Sequence, residues 1–232
     1  MKKFILCLLL FTSLNLVAQE YYWTTYSFDV EAEDEEIVTK LFNDYFSDTT
    51  SKAEGVSAFL FENHFADSAN YASHTVAFTG PLDAMGNQYS QGKNVSWELF
   101  TTKLSRYITQ HSAASGSSLI SVGTPGSHPI QNLFIFKVKN ADKFAKGFKA
   151  YNSQFNPKDR RVTLGAFNLG RSSEGETHYV LVGVDSFKEA MNLGKYRDSN
   201  PAAKAAWEKY MNDIDGSVEV LRTQTRVMIG SW

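Results

Sequence analysis

The sequence has little of several features that mark common protein classes. Cys7 is its only cysteine, so the chain can form neither an internal disulfide nor a cysteine-based zinc site. Its 23 basic residues are outnumbered by 25 acidic ones, and this lack of a basic surplus argues against nucleic-acid binding. Hydrophobic residues make up 43% and aromatic residues 14% of the 232 positions, which excludes a disordered chain and supplies a sizeable core.

Long apolar runs are also lacking, except at the N-terminus. There Lys2 and Lys3 precede an apolar run from Phe4 to Phe11, and a more polar stretch ends at Ala18, which is the order of a secretory signal peptide. A membrane anchor is the alternative, but polar residues at 12, 13 and 15 interrupt the run before it reaches about 20 apolar residues. We expect residues 1–18 to be removed, and the mature protein to be periplasmic or secreted and to have no membrane span.

Standard catalytic and metal-binding motifs are absent from the sequence. No serine has the Gly-x-Ser-x-Gly context of a nucleophile elbow, and the expected mature chain has no thiol. The segment Gly165–Ser172 has the spacing of a phosphate loop, but Arg171 stands where lysine is required. No two histidines are four residues apart on a helix, so no metal site is expected. Catalytic residues stay unknown, and the missing motifs favour a protein that is not an enzyme.

The chain resembles itself at a separation of 106 residues. Val56–Phe61 aligns with Val162–Phe167, and Ala84-Met85 aligns with Ala190-Met191. At the same separation Asn94 aligns with Asn200, and Ile108 aligns with Ile214. Because the predicted order of helices and strands also repeats, we interpret the chain as two copies of one β-α-β-β-α-β unit.

In the first unit, apolar alternation and β-branched residues predict strands at 21–30, 55–65, 73–79 and 119–124. Acidic residues 31–36 open a helix whose predicted buried face is Ile37, Leu41 and Tyr45, flanked by Val38 and Phe42. The second long helix is predicted to bury Trp97, Phe100, Leu104 and Ile108. Residues 112–129 are rich in serine and glycine, which predicts a connection between the units.

In the second unit, the same patterns predict strands at 131–139, 162–169, 177–185 and 218–229. Asn140 is a predicted N-cap for a helix that buries Phe144, Phe148, Tyr151 and Phe155. Ser186–Glu189 has the pattern of a capping box, and Asn200-Pro201 has that of a helix start. The helix after Pro201 ends at Gly216, and its predicted inward face is Trp207, Tyr210, Met211 and Ile214.

Two such units in one chain resemble the ferredoxin-like dimeric α+β barrel superfamily in a fused, pseudo-dimeric form. The resemblance covers residues 20–230 and implies an α+β fold with units at 19–127 and 128–232, forming a pseudo-twofold barrel. It rests on element order, and no family motif aligns position by position. The superfamily includes cofactor-free monooxygenases, haem-binding and haem-degrading proteins, isomerases and stress-induced proteins. The sequence requires no cofactor, and the resemblance leaves haem open.

The last predicted strand carries the main candidate site. Val218, Val220, Arg222, Gln224, Arg226 and Met228 alternate onto one face. The charges of Arg222 and Arg226 need water or an acidic partner, since an unpaired buried charge is costly. One interpretation is a pocket that recognises an anion through Arg222, Gln224 and Arg226; the other is a solvated or salt-bridged face, with Glu62 or Asp29 as partner.

Two histidines are further candidates for ligand binding. His74 and His178 each begin a strand, on the same side as the apolar residues that follow at every second position. They are either ligand or proton-transfer groups at a barrel mouth, or strand-end histidines with hydrogen-bonded rings.

These patterns leave three hypotheses for function. The first is an exported protein that binds a small, partly apolar and anionic molecule in a barrel cavity. The second is a cofactor-free or haem-linked oxidoreductase, which the resemblance permits. The third is an envelope interaction protein without a ligand. The sequence does not predict the oligomeric state.

Overall fold

Eight antiparallel strands form a closed barrel in the computed structural model, which describes residues 20–66, 72–90, 92, 94–123 and 128–232. The predicted signal peptide lies outside these residues. The strands are β1 Tyr21–Val30, β2 Ser57–Phe65, β3 His74–Pro81, β4 Ile108–Val122, β5 Ile130–Val138, β6 Arg161–Leu169, β7 His178–Val184 and β8 Val218–Ser231. The α-helices are α1 Glu35–Phe46, α2 Leu82–Ser90, α3 Val95–Leu104, α4 Ala141–Phe155, α5 Phe187–Ala190, α6 Lys195–Ser199 and α7 Pro201–Ile214.

The strand order around the barrel is β1-β3-β2-β8-β5-β7-β6-β4, and β4 pairs with β1 to close it. Residues 20–123 therefore contribute the run β4-β1-β3-β2, and residues 128–232 contribute the run β8-β5-β7-β6. The two runs join where β2 pairs with β8 and where β4 pairs with β6. Closure leaves no unpaired strand edge among the eight described strands.

Alternation along the strands separates an inner face from a helix-covered outer face. In β1, Trp23, Thr25 and Ser27 face the barrel interior, whereas Phe28 and Val30 pack beneath the helices. Each half has its own core between sheet and helices. The first core includes Phe28, Val38, Phe42, Phe46, Leu60, Val76, Phe78 and Phe100, and the second includes Phe144, Phe148, Leu164, Val182, Val184, Tyr210 and Ile214.

The helix starts predicted at Asn140 and Asn200 are confirmed by their capping contacts, and Asn94 caps α3 in the same way. The Asn94 side chain accepts a hydrogen bond from the Trp97 amide at 2.7 Å, and Asn200 accepts from the Ala202 and Ala203 amides. Asn140 accepts from the Lys143 amide at 3.0 Å. These side chains satisfy amides that the first helical turn cannot pair.

The predicted linker is wrong. Residues 112–122 belong to β4, which begins at Ile108, so Ile108 does not extend the preceding helix. The small residues of this stretch suit close packing, because a Cβ on Gly116 would overlap the Ala166 carbonyl oxygen and the Trp23 ring. Composition alone could not reveal this tertiary contact.

Three predicted helix faces also need correction. The buried face of α1 is Val38, Phe42 and Phe46, and Ile37 is 41% exposed. On α7, Met211 is 43% exposed and Trp207 is half-buried, because Tyr210 and Ile214 occupy the line that faces the sheet. On α3, Phe100 and Leu104 are buried as predicted, whereas Trp97 is half-buried.

No helix in the described part of the chain combines the length and the apolar character needed to cross a membrane.

Candidate functional site

The inner face of the barrel encloses a cavity of about 890 Å³, called the barrel cavity here. Arg222, Gln224, Arg226 and Met228 line it from β8, so the structure brings the three predicted β8 residues together on one surface. Val218 instead packs in the second core, because a bulge between Ile135 and Phe136 shifts the register of β8.

Arg222 is held by two carboxylates at one end of this surface. Its guanidinium donates to Glu176 Oε1 at 3.1 Å and to Glu174 Oε2 at 2.5 Å. Glu176 is buried, and it also accepts hydrogen bonds from the amide and hydroxyl of Ser172. Burial opposes ionisation of Glu176, but the Ser172 and Arg222 hydrogen bonds lower its pKa overall. The expected partners Glu62 and Asp29 instead lie against His64 and His111.

Arg226 has a different environment, although it lies on the same strand face. It is 8% exposed, and its Nε and Nη2 both donate to the side-chain oxygen of Gln131, at 3.0 and 2.8 Å. Its guanidinium carbon lies 3.9 Å from the centre of the Phe61 ring. Burial lowers the pKa of Arg226 to about 10, so the side chain stays charged at neutral pH. Among the described residues, no carboxylate lies within 4.0 Å of it.

The two predicted histidines do not line the barrel cavity. His74 is 1% exposed on the helix side of β3, where its ring stacks on Phe28 and its Nδ1 contacts the Ser73 hydroxyl at 2.9 Å. His178 packs against Phe144, and its Nδ1 contacts the Thr177 hydroxyl at 2.9 Å. Burial lowers the pKa of both imidazoles. The structure therefore places them apart from Arg222, Gln224 and Arg226.

A second cavity, the aromatic pocket, lies between the sheet and helices α1, α2 and α3. Its volume is about 460 Å³. Aromatic residues are the largest group in its wall, and two glutamines and several hydroxyl residues contribute polar groups. The main ring residues are Tyr26, Phe28, Phe42, Tyr45, Phe46, Phe78, Tyr89, Trp97 and Phe100, and the main polar ones are Thr50, Ser51, Gln88, Thr101 and Gln110.

A chain of three hydroxyl groups lies at the edge of the aromatic pocket. The Tyr89 hydroxyl is 2.6 Å from the Thr24 hydroxyl and 2.9 Å from the Tyr26 hydroxyl. Burial raises the pKa of the Tyr89 phenol, so it is protonated and able to donate at neutral pH. These groups offer hydrogen bonds to an oxygen atom on a bound ring system.

Sequence reasoning missed the aromatic pocket. It assigned Tyr45, Trp97 and Phe100 to packing faces, and it gave no role to Tyr26 or Tyr89. The sequence did contain one indication of this pocket. Aromatic residues are concentrated in and around α1 and α3, and the tyrosines and the tryptophan among them carry polar atoms that a close-packed core does not need.

Haem is the cofactor to test, because the superfamily that the sequence resembles contains haem-binding members. Haem iron needs an axial donor aimed into the cavity. Among the described residues lining the aromatic pocket there is no histidine, cysteine or methionine, and burial raises the pKa of Tyr45 and Tyr89 away from the ligating phenolate form.

The barrel cavity is poorly shaped for haem. Trp23, Phe167 and Tyr179 cross its interior with ring centres 5.3 to 5.8 Å apart at steep angles, which opposes a large flat group. Its described residues that could bind iron are Met228 and the histidines His111 and His128, whose rings are bonded to Asp29 and Asp185. The described residues of the aromatic pocket therefore do not fit a haem group, and the crossed rings argue against one in the barrel cavity. In the described part of the chain there is also no cluster of three or more histidine, cysteine or acidic side chains that could hold a metal ion.

Comparison with solved structures identifies the architecture. A candidate monooxygenase from Fusobacterium nucleatum superposes with a TM-score of 0.60 at 14% identity, covering 92% of this chain and 94% of that chain. An anthrone oxidase-like protein gives 0.56 at 10% identity, covering 92% and 93%. A variant chlorite dismutase from Candidatus Nitrospira defluvii gives 0.53 at 12% identity, covering 90% and 92%. The fold is that of the dimeric α+β barrel proteins.

The dimeric α+β barrel fold was the one expected from element order. At these identities the likeness concerns architecture, and the activities of the neighbours belong to those proteins. No protein-family model and no curated protein matches the sequence.

Proposed function

We propose that the protein is a haem-independent oxidoreductase that oxidises a planar aromatic ketone with dioxygen in the aromatic pocket. The observation that carries this proposal is a ring-walled cavity whose edge holds the Thr24–Tyr89–Tyr26 hydroxyl chain. The volume of about 460 Å³ is typical of small-molecule sites. The monooxygenase-like and anthrone oxidase-like neighbours support the same reaction class.

The chemistry follows from the lining. Flat aromatic walls favour a flat ring system through offset and edge-to-face contacts. A methylene group between two rings and opposite a ketone loses a proton to solvent to give an enolate, and the enolate carbon adds dioxygen. The adduct takes up a proton to become a hydroperoxide. Loss of the second C–H proton together with hydroxide then gives the ketone and water. The balanced reaction converts CH₂ and O₂ into a ketone and water. The hydroxyl of Tyr89 or Tyr26 would donate to the enolate oxygen and stabilise its charge.

Oxygen uptake with anthrone, a three-ring molecule of this type, tests the proposal. The protein is expected to consume one dioxygen per anthrone, with anthraquinone as product, faster than buffer alone. Thr101→Phe places a ring in the aromatic pocket and is expected to lower kcat/KM at least about tenfold. Thr102→Phe is the matched control, because Thr102 is the exposed neighbour on the same helix. A wild-type rate equal to that of buffer, or equal rates for the two variants, contradicts the proposal.

We also propose that the protein is exported and that its two halves are copies of one unit. The order of Lys2, Lys3, the apolar run and Ala18 supports cleavage near Gln19, which N-terminal sequencing of protein from the native host would test. Intact Met1 would contradict cleavage.

The matching strand runs β4-β1-β3-β2 and β8-β5-β7-β6 support two ferredoxin-like units, 19–127 and 128–232, in tandem.

Capture of a small, partly apolar anion in the barrel cavity is a second candidate function. The buried charge of Arg226 favours it.

A further inference from the structure

The barrel cavity contains a row of five paired residues that runs across five strands, and four of the five are polar. Arg226 on β8 pairs with Asn63 on β2 at one side and with Gln131 on β5 at the other. Gln131 pairs with Gly183, which in turn pairs with Arg161 on β6. All five residues line the cavity. The row therefore presents two guanidinium groups and two amides to the same cavity.

The charges lining this space do not balance. Arg161, Arg171, Arg222 and Arg226 all line it, and Glu176 is the only carboxylate among the described lining residues. Glu176 is already engaged by Arg222. Within the described ranges, neither Arg161 nor Arg226 has a carboxylate within 4.0 Å. Because an unpaired buried charge is costly, the cavity is electrostatically suited to an anion from outside the chain.

The side chain of Asn63 gives a second, independent indication of a ligand in this cavity. It is 4% exposed, and its amide nitrogen donates to the Ala72 carbonyl and the Thr75 hydroxyl. Its side-chain oxygen is buried without a hydrogen-bond donor among the described residues. Such an atom next to Arg226 is suited to a ligand that carries a donor group beside its negative charge.

The apolar residues that line the rest of the cavity indicate the chemistry of the remaining part of the ligand. Phe59, Phe61, Leu133, Ile135 and Leu181 give the cavity an apolar lining beside the polar row. A free inorganic anion would leave this surface and most of the volume of about 890 Å³ unused. An organic body joined to an acid group uses both parts of the cavity.

We infer that the barrel cavity is a binding site for an aromatic or aliphatic organic acid, whose carboxylate lies against the Arg226 guanidinium. Arg161 adds long-range attraction, and Gln131 fixes the orientation of Arg226. This site is separate from the aromatic pocket and from the proposed oxidation. The inference rests on the second candidate function and adds the class of ligand and the residues that recognise it.

Calorimetric titration with 2-naphthoate and its uncharged counterpart 2-naphthamide tests the inference on the full-length protein. The two probes share one ring system and differ in charge, and no charged side chain lines the described part of the aromatic pocket. Preference for the acid therefore reports on the barrel cavity. The wild type is expected to bind naphthoate at least about tenfold more tightly than naphthamide.

Three variants test whether the preference for naphthoate over naphthamide arises at Arg226. Arg226→Gln is expected to reduce the ratio of the two affinities to below about threefold. Arg106→Gln removes one exposed surface charge and is expected to keep the wild-type ratio. Gln131→Glu gives Arg226 an internal carboxylate, so it is expected to abolish the preference while raising the Tm.

Gln131→Glu alone decides the outcome if Arg226→Gln does not fold. A wild-type ratio near one, no binding of either probe, or a ratio that persists in Gln131→Glu contradicts the inference. Anthrone oxidation by the wild-type protein is measured separately from the titrations, so failure of the acid site and failure of the proposed oxidation give different results.

Discussion

Arg222 and Arg226 lie on one face of β8, yet their surroundings give them different properties. Arg222 has two carboxylate partners, Glu174 and Glu176. Glu176 is almost completely buried, with 2% of its surface exposed. Arg226 has an amide oxygen and a ring instead. The alternation of β8 predicted that both face the same way, but the identity of their partners was not predictable from the sequence. Glu174 and Glu176 come from the loop between β6 and β7, more than forty residues earlier in the chain.

The Arg222 pair leads to a pH-dependent prediction. Glu176→Gln leaves Arg222 with only Glu174, so it is expected to lower the free energy of unfolding by about 2 kcal/mol at pH 7. The pKa of Glu176 is lowered in the folded state, so its stabilisation is complete above the unfolded pKa and disappears as pH falls through the folded value. Urea denaturation at several pH values should therefore show the variant and wild type converging below about pH 4. A constant difference across this range contradicts the account.

Contacts between helices determine which substitutions each helix tolerates. Gly147 in α4 lies against the Tyr210 ring of α7, and a Cβ at this position would overlap the ring carbons. Tyr210 is buried, and its hydroxyl donates to the Phe144 carbonyl at 3.3 Å. The glycine therefore permits the close approach of the two helices, at the cost of helix propensity.

Two glycine substitutions test this element-scale account. Gly147→Ala is expected to lower the free energy of unfolding by about 1–3 kcal/mol, because the methyl group overlaps Tyr210. Gly86→Ala in α2 is the matched control, since no described atom outside its own helical turn lies within 4 Å of the place that the alanine methyl group would occupy. There the higher helix propensity of alanine should raise the free energy of unfolding by about 0.5–1 kcal/mol. Effects of the same sign at both sites would contradict the packing argument.

Local chemistry predicted the elements better than it predicted their packing. The helix starts at Asn140 and Asn200 were predictable because side-chain capping is a short-range interaction that the sequence displays directly. Only the end of the long strand β4, from Leu119, was predicted. Its first part was missed, because the serines, alanines and glycine there resemble a loop and only the tertiary contact of Gly116 with Trp23 explains them. Cavities raise the same difficulty, since residues of a packed helix face and of a pocket wall have the same periodicity.

At the scale of the whole molecule, the closed barrel separates two kinds of space. The aromatic pocket lies outside the sheet, under the helices of the first half, and offers rings and neutral hydroxyls. The barrel cavity lies inside the sheet and offers guanidinium groups. The aromatic cluster Trp23–Phe167–Tyr179 and the polar row around Arg226 divide the interior of the barrel between them. A neutral planar molecule and an organic acid are therefore expected to bind at different places.

A crystal structure of the protein with anthraquinone, the product of anthrone oxidation, tests the central claim most directly. The proposed function predicts the three-ring molecule in the aromatic pocket, between the rings of α1 and α3, with one carbonyl oxygen accepting a hydrogen bond from the Tyr89 or Tyr26 hydroxyl. Anthraquinone bound in the barrel cavity, or absent from the aromatic pocket at saturating concentration, would contradict the claim.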